Sequence, residues 1–174
     1  GMTALYDACR CGKAEAASRL LEFGADRDVK DNLGRTPARV AMQYGHTELV
    51  DICNIEGEDL PDTIDLPAWS LAITRQLGKI TELVASNKSS LGMREPHTIR
   101  TALHCSLLGN YRDEEDNVQI PILRTLLNEG NMSTDDGDRY GQTPLHFAAM
   151  FGNLEATKLL LERDASLDAV DDFG

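Results

Sequence analysis

The sequence predicts an all-α array of helix-turn-helix repeats, and three observations carry that expectation. First, Gly1, Thr3 and Gly12 return in the same order as Gly34, Thr36 and Gly45, each 33 residues later. Second, the same residue types come back near the other end as Gly141-Gln142-Thr143-Pro144-Leu145-His146-Phe147-Ala148-Ala149, followed by Gly152 and Leu159-Leu160-Leu161. Third, hydrophobic residues make up 41% of the chain but aromatics only 5%, a composition suited to Ala- and Leu-rich packing between helices. A fixed period of this length marks stacked supersecondary units, each too small to bury its own apolar face.

Each element of the motif has a physical reason. A Thr at the helix start accepts a bond from an orphan backbone N–H. Pro37 and Pro144 follow at the first helical position, where a missing N–H costs nothing. The alanines let two helices approach closely. Gly45-His46 and Gly152-Asn153 let the chain turn between helices. The leucines of the second helix, Leu20 and Leu21, then Leu160 and Leu161, are predicted to enter the core. Gly24-Ala25 ends a second helix with a residue suited to a left-handed cap and starts an extended segment.

The stretch over residues 141–155 resembles the ankyrin repeat almost letter for letter. The resemblance implies an all-α solenoid of stacked antiparallel helix pairs with β-hairpin loops. Two middle repeats are degenerate. Leu66-Pro67-Ala68-Trp69-Ser70-Leu71-Ala72 resembles a first helix, with a second near residues 78–85, and Thr101-Ala102-Leu103-His104 fits another start, with a second helix near 122–128. Spacings at the Pro-equivalent position are 33 (Ala4 to Pro37), 30 (to Pro67), 35 (to Ala102) and 42 (to Pro144). The register therefore predicts five repeats, approximately 1–33, 34–61, 62–95, 96–140 and 141–173, in one domain spanning 1–174. The fourth carries extra residues around 110–121, predicted to form an exposed excursion between its helices. The pattern starts and stops in mid-motif, so the array is expected to be a fragment of a longer protein.

The net charge is −12, and residues 101–174 hold −9 of it. Acidic surface repels phosphates and anionic headgroups, which argues against nucleic acid and membrane surface and for a basic patch on a protein. No run approaches the roughly 18 apolar residues of a membrane helix, and no secretory start is visible. Cys9, Cys11, Cys53 and Cys105 lack the spacing of a disulfide framework, so free thiols in an intracellular, cytoplasmic setting are expected. Sequons at Asn87 and Asn131 would go unused there.

Chemistry-bearing motifs do not emerge. Phosphate loops, nucleophile elbows and His-Glu-x-x-His are absent from the sequence. His104 and His146 hold repeat positions from which the ring can bond back to Thr101 or Thr143; His46 follows an inter-helix Gly; His97 has no motif. Adjacent helix positions point about 100° apart, so His104 and Cys105 do not form a facing pair. The acidic run Asp113-Glu114-Glu115-Asp116 reads as a solvated loop, with contact to calcium or a basic partner as the lesser reading, and neither Asp135-Asp136-Gly137-Asp138 nor the stretch from Asp168 to Asp172 has calcium-loop spacing. The expectation is no catalysis, no cofactor and no metal.

Function is expected on positions that packing does not need, which the resemblance places at hairpin tips and on the first helices. The helix ladder runs Asp7, Arg10, Cys11; Val40, Gln43, Tyr44; Ser70, Ile73, Thr74; Cys105, Leu108, Gly109; Phe147, Met150, Phe151. The partner-binding residues drawn from it are Gln43, Tyr44, Ile73, Thr74, Leu108, Phe147, Met150 and Phe151. The tips add Asp28, Lys30, Asp31, Asn32, Arg35, Asp138 and Arg139. Large apolar side chains at Tyr44, Phe147, Met150 and Phe151 would anchor a protein partner, with the chain itself monomeric. The leading reading is a non-catalytic protein-interaction scaffold; the alternative is a regulatory or targeting segment of a larger enzyme or channel.

Overall fold

A computed structural model describes residues 2–54, 60, 66–86, 89–108 and 118–174. The chain divides into two compact units, Gly1–Leu66 and Pro67–Gly174. Among the described residues it holds ten α-helices, one short 3-10 helix and no strand.

The first unit contains α1 (Ala4–Arg10), α2 (Ala14–Glu22), α3 (Pro37–Gln43) and α4 (Thr47–Cys53). Thr3 Oγ1 accepts from Tyr6 N and Thr36 Oγ1 from Arg39 N, each at 3.2 Å, which fixes where α1 and α3 begin. First helix packs on first helix and second on second, α1 against α3 and α2 against α4. The turn between α1 and α2 must be glycine for two reasons. Gly12 sits at φ +68°, and a Cβ there would lie 2.6 Å from the His46 ring. The core gathers Leu5, Ala8, Cys9, Ala17, Ala38, Ala41, Leu49 and Cys53.

The second unit contains α5 (Ala68–Ile73), α6 (Leu77–Ala85), the 3-10 helix Ser89–Gly92, α7 (Ala102–Ser106), α8 (Gln119–Asn128), α9 (Pro144–Met150) and α10 (Leu154–Leu161). Here α7 packs on α5 and α9, and α8 on α6 and α10. His104 and His146 complete capping boxes: each Nδ1 accepts from the backbone N–H of Thr101 or Thr143, at 3.2 and 3.1 Å. Trp69, Leu103, Ile122, Leu123, Leu126, Phe147 and Leu160 are fully buried.

Several details depart from the sequence expectations. Leu160 is fully buried as predicted, but Leu161 is 38% exposed, because its side chain lies off the seam that α10 shares with α8 and α9. Leu20 and Leu21 are only partly buried, flanking the core cluster. The hairpin loops carry no strand ladder among the described residues; turns closed by bonds such as Asp31 N to Arg35 O (3.0 Å) and Asp138 N to Gln142 O (2.8 Å) do their work. Of the excursion predicted over 110–121, residues 110–117 lie outside the described residues, and Gln119, Ile120 and Pro121 belong to α8; Pro is tolerated in a first turn, where its N–H would have no partner. The acidic run 113–116, like Gly109 and Asn87, lies outside the described residues.

Candidate protein-binding surface

The hairpin turns are built on buried carboxylates. In the first unit, Asp31 Oδ1 accepts from the backbone N–H groups of Leu33 and Arg35, both at 2.9 Å. Its Oδ2 accepts from Tyr6 Oη (2.8 Å) and from Arg35 Nε and Nη2 (2.8 and 2.6 Å). Arg35 also donates to Tyr6 Oη at 2.8 Å and to Gln43 Oε1. Burial pushes the Asp31 carboxyl up, but bonds from the Arg35 side chain and backbone, from Tyr6 and from Leu33 outweigh it and hold the group well below the ordinary carboxylate range. Burial first, and then the bond to Asp31, raise the Tyr6 phenol well above its usual value.

The second unit repeats the device. Asp138 Oδ1 accepts from Tyr140 N (2.8 Å) and Gln142 N (3.2 Å), and Oδ2 pairs with Arg100 Nε at 3.3 Å. Asp138 stands five residues before Thr143, as Asp31 stands five before Thr36. In the intervening repeat Glu95 takes the role with a longer arm, its Oε2 accepting from His97 N and Thr98 N. Single backbone bonds chain one tip to the next: Arg139 N to Thr98 O (2.7 Å) and Asp172 N to Tyr140 O (2.9 Å).

These turns present apolar side chains to solvent. Leu33, Tyr140 and Phe173 each stand two residues after the turn Asp, in Asp31-Asn32-Leu33-Gly34, Asp138-Arg139-Tyr140-Gly141 and Asp171-Asp172-Phe173-Gly174. Tyr140 is 43% exposed and Phe173 76%, and their ring centroids lie 5.9 Å apart. The Gln142 amide bonds Asp171 at 3.1 Å and lowers the pKa of that exposed carboxyl, leaving a charged acid two residues from Phe173. Sequence reasoning selects the charged tip residues and passes over these three. The recurring Asp-x-apolar-Gly is the signal that could have found them.

The predicted residues fall into three groups. Asp28, Lys30, Asn32 and Arg139 are exposed on the turns, as a contact role requires. Asp31 and Asp138 are buried and Arg35 is mostly enclosed, so these three hold the turns rather than meet a partner. On the helix ladder, Phe147 is 1% exposed and Tyr44 3%, which removes both as surface anchors. Phe147 packs edge-on to His104 (5.3 Å between centroids), with the Arg100 guanidinium 4.7 Å over its ring. Val40, Ser70 and Cys105, in the same register as Phe147, are buried too, whereas Asp7, the first residue of that row, is exposed. The row three residues further on reaches solvent: Arg10, Gln43, Ile73 and Leu108 partly, Met150 fully at 61%. Phe151 is exposed at the end of α9, beside Phe147 at 6.2 Å; Thr74 is half-buried, its hydroxyl bonded to Ser70 O at 2.9 Å.

Among the described residues no group of three or more His, Cys, Asp or Glu stands close enough to hold a metal ion, and no helix is long and apolar enough to cross a membrane.

The family model for ankyrin repeats (three copies) matches residues 1–60 and 70–171. Mouse Rabankyrin-5 is 27% identical over 172 residues, covering 97% of this chain and 14% of that protein. Human neurogenic locus notch homolog protein 2 is 31% identical over 171 residues, 98% of this chain and 5% of that protein. The ankyrin repeat and KH domain-containing protein mask-1 of Caenorhabditis elegans is 33% identical over 95 residues, 52% of this chain and 4% of that protein. The chain thus spans a small fraction of the length of these relatives. With the family model covering nearly all of it, and with Thr-capped helix pairs joined by Asp-anchored turns, this chain belongs to the ankyrin-repeat family.

Proposed function

We propose that this chain is a non-catalytic protein-interaction scaffold, and that its second unit engages a partner protein through the tip pair Tyr140 and Phe173 together with Met150 and Phe151. Ankyrin repeats generally mediate protein–protein interaction. The observation that carries the finer reading is the tilted, solvent-exposed Tyr140–Phe173 ring pair, on turns held by Asp138 and by Asp171. Aromatic side chains supply large contact area, and a backbone already bonded in place adds little ordering cost on binding. The charge of −9 over residues 101–174 supports a partner with a basic patch, whose approach it would accelerate. It also supports a function away from nucleic acid and anionic membranes.

The same reading takes the chain as monomeric and cytoplasmic, supported by four free cysteines, and as five repeats in one array. The second reading, a targeting or regulatory segment of a larger enzyme or channel, is favoured by the small share of each relative that the chain spans.

The test is a selection of displayed peptides on the whole chain, followed by affinity measurement on Tyr140→Ser with Phe173→Ser. Selected sequences should combine Lys or Arg with apolar residues. The double variant should lose at least about tenfold in affinity, or roughly 1.4 kcal/mol, while its melting curve stays unchanged. Binders that ignore both substitutions sink the proposal.

A further inference from the structure

Cys9 and Cys53 are 44 residues apart in sequence, yet their Sγ atoms meet at 3.2 Å in the core of the first unit, and both side chains are completely buried. Cys9 sits on α1 and Cys53 is the last residue of α4. A disulfide bond is about 2.05 Å long, so closing it requires the sulfurs to approach by roughly one ångström, within reach of side-chain rotation. Repeat packing does not call for sulfur at either place: the neighbours are Leu5, Ala8, Ala38, Ala41 and Leu49.

We propose that Cys9 and Cys53 form an oxidisable thiol pair, a modification site at which peroxide joins α1 to α4. The oxidant is small enough to enter a packed core, and Cys53 terminates its helix, where fraying opens the structure most readily. The two thiols share one S–H···S hydrogen bond, for which either sulfur can be the donor; that contact holds the Cys53 pKa below its ordinary value and, together with burial, pushes Cys9 well above its own, so Cys53 is favoured as the attacking thiolate. In the first step Cys53 Sγ attacks one peroxide oxygen, the O–O bond breaks, a sulfenic acid forms and the departing hydroxide takes a proton to become water. In the second step Cys9 Sγ attacks the sulfenic sulfur, the S–O bond breaks, and hydroxide leaves with the Cys9 proton as a second water. Two thiols thus give up two electrons and two protons, and one peroxide becomes two waters. The product closes a long loop and should resist unfolding of the first unit.

The experiment treats the whole chain with hydrogen peroxide, removes the excess with catalase, denatures, caps free thiols with N-ethylmaleimide and maps tryptic peptides without reductant. Arg10 lies between Cys9 and Cys11, so trypsin separates the buried thiol from its exposed neighbour. The expected product is a Cys9–Cys53 peptide pair two hydrogens lighter than its parts and cleaved by dithiothreitol, with Cys105 still capped. The melting midpoint should rise by several degrees and fall back on reduction. The same measurement on Cys11→Ser removes the exposed competitor and should give the same pair. Capping of both Cys9 and Cys53 after peroxide, or a Cys9–Cys11 link in their place, overturns the proposal; so does a crosslink that leaves the midpoint where it was.

Discussion

His104 Nε2 donates to the backbone carbonyl of Gln142 across 2.8 Å, joining the first helix of one repeat to the hairpin of the next. The ring is completely buried, and its Nδ1 accepts from Thr101 N, so only the neutral form fits both bonds. Burial lowers its pKa from the ordinary 6.5 to about 4, although the Gln142 carbonyl works in the opposite direction.

A dependence of stability on pH follows. The folded pKa lies below the unfolded one, so the unfolded chain binds the proton first. The stabilisation is intact above pH 6.5 and is lost as pH falls from 6.5 through 4. The loss attributable to His104 should be roughly 3 kcal/mol, because each tenfold change in proton affinity is worth about 1.4 kcal/mol. Urea unfolding from pH 7 to 4, compared with His104→Asn, isolates it: the variant should be weaker at pH 7 and its stability flatter with acid. Parallel curves would remove His104 as the cause.

Breaking the Asp31–Arg35 pair should be costly. Asp31→Asn leaves the Arg35 guanidinium facing a neutral amide in a mostly enclosed site, and buried pairs broken on one side lose about 3–5 kcal/mol. The Arg35 side chain keeps some exposure, so the lower end of that range is expected. Because the folded Asp31 pKa is depressed, its contribution is present above the ordinary 3.8 and disappears as pH falls toward the folded value. Chemical denaturation at pH 7 and pH 3 should therefore show a smaller gap between wild type and variant in acid.

Ile99 offers a stabilising change. It adopts φ +59°, a left-handed conformation costly for a β-branched residue, at the register position that Gly34 and Gly141 hold in their own repeats. The side chain is 41% exposed, so only part of its packing is lost on removing it. Ile99→Gly should raise stability by about 1 kcal/mol, read as a higher melting midpoint. A lower midpoint would mean that the Ile99 side chain contributes more than its backbone strain costs.

Two adjacent leucines should behave unlike each other. Leu160→Ala empties a fully buried site and should cost about 2–5 kcal/mol. Leu161→Ala, at a 38% exposed position, should cost well under half of that. Equal losses in denaturant titrations would contradict the packing of α10.

The fold is legible because each repeat announces itself locally. Thr caps, a Pro at the first helical position and turn glycines are short-range signals, and they place α1, α3, α7 and α9 within a residue or two. Even Arg75 and Ile99, non-glycines at positive φ, do not hide the register, since the flanking motif survives. The candidate surface is harder to read. Whether position 147 or 150 faces solvent depends on a rotation of α9 set by His104 and Arg100, residues some forty positions away. Aromatic character points equally to core and to contact, and Phe147 proves to be core. The turn acids mislead for a related reason: Asp in a loop usually faces water, but Asp31 and Asp138 turn inward to hold backbone N–H groups.

The Asp-anchored turn separates two tasks along four consecutive residues. The acid and the glycine set the geometry, while the residue between them at 33, 140 or 173 contributes little to packing. Those three sites therefore behave as exchangeable reading heads. A library randomised there alone would vary what the protein recognises while nearly every member kept its fold, so new specificities could be selected without rebuilding the scaffold.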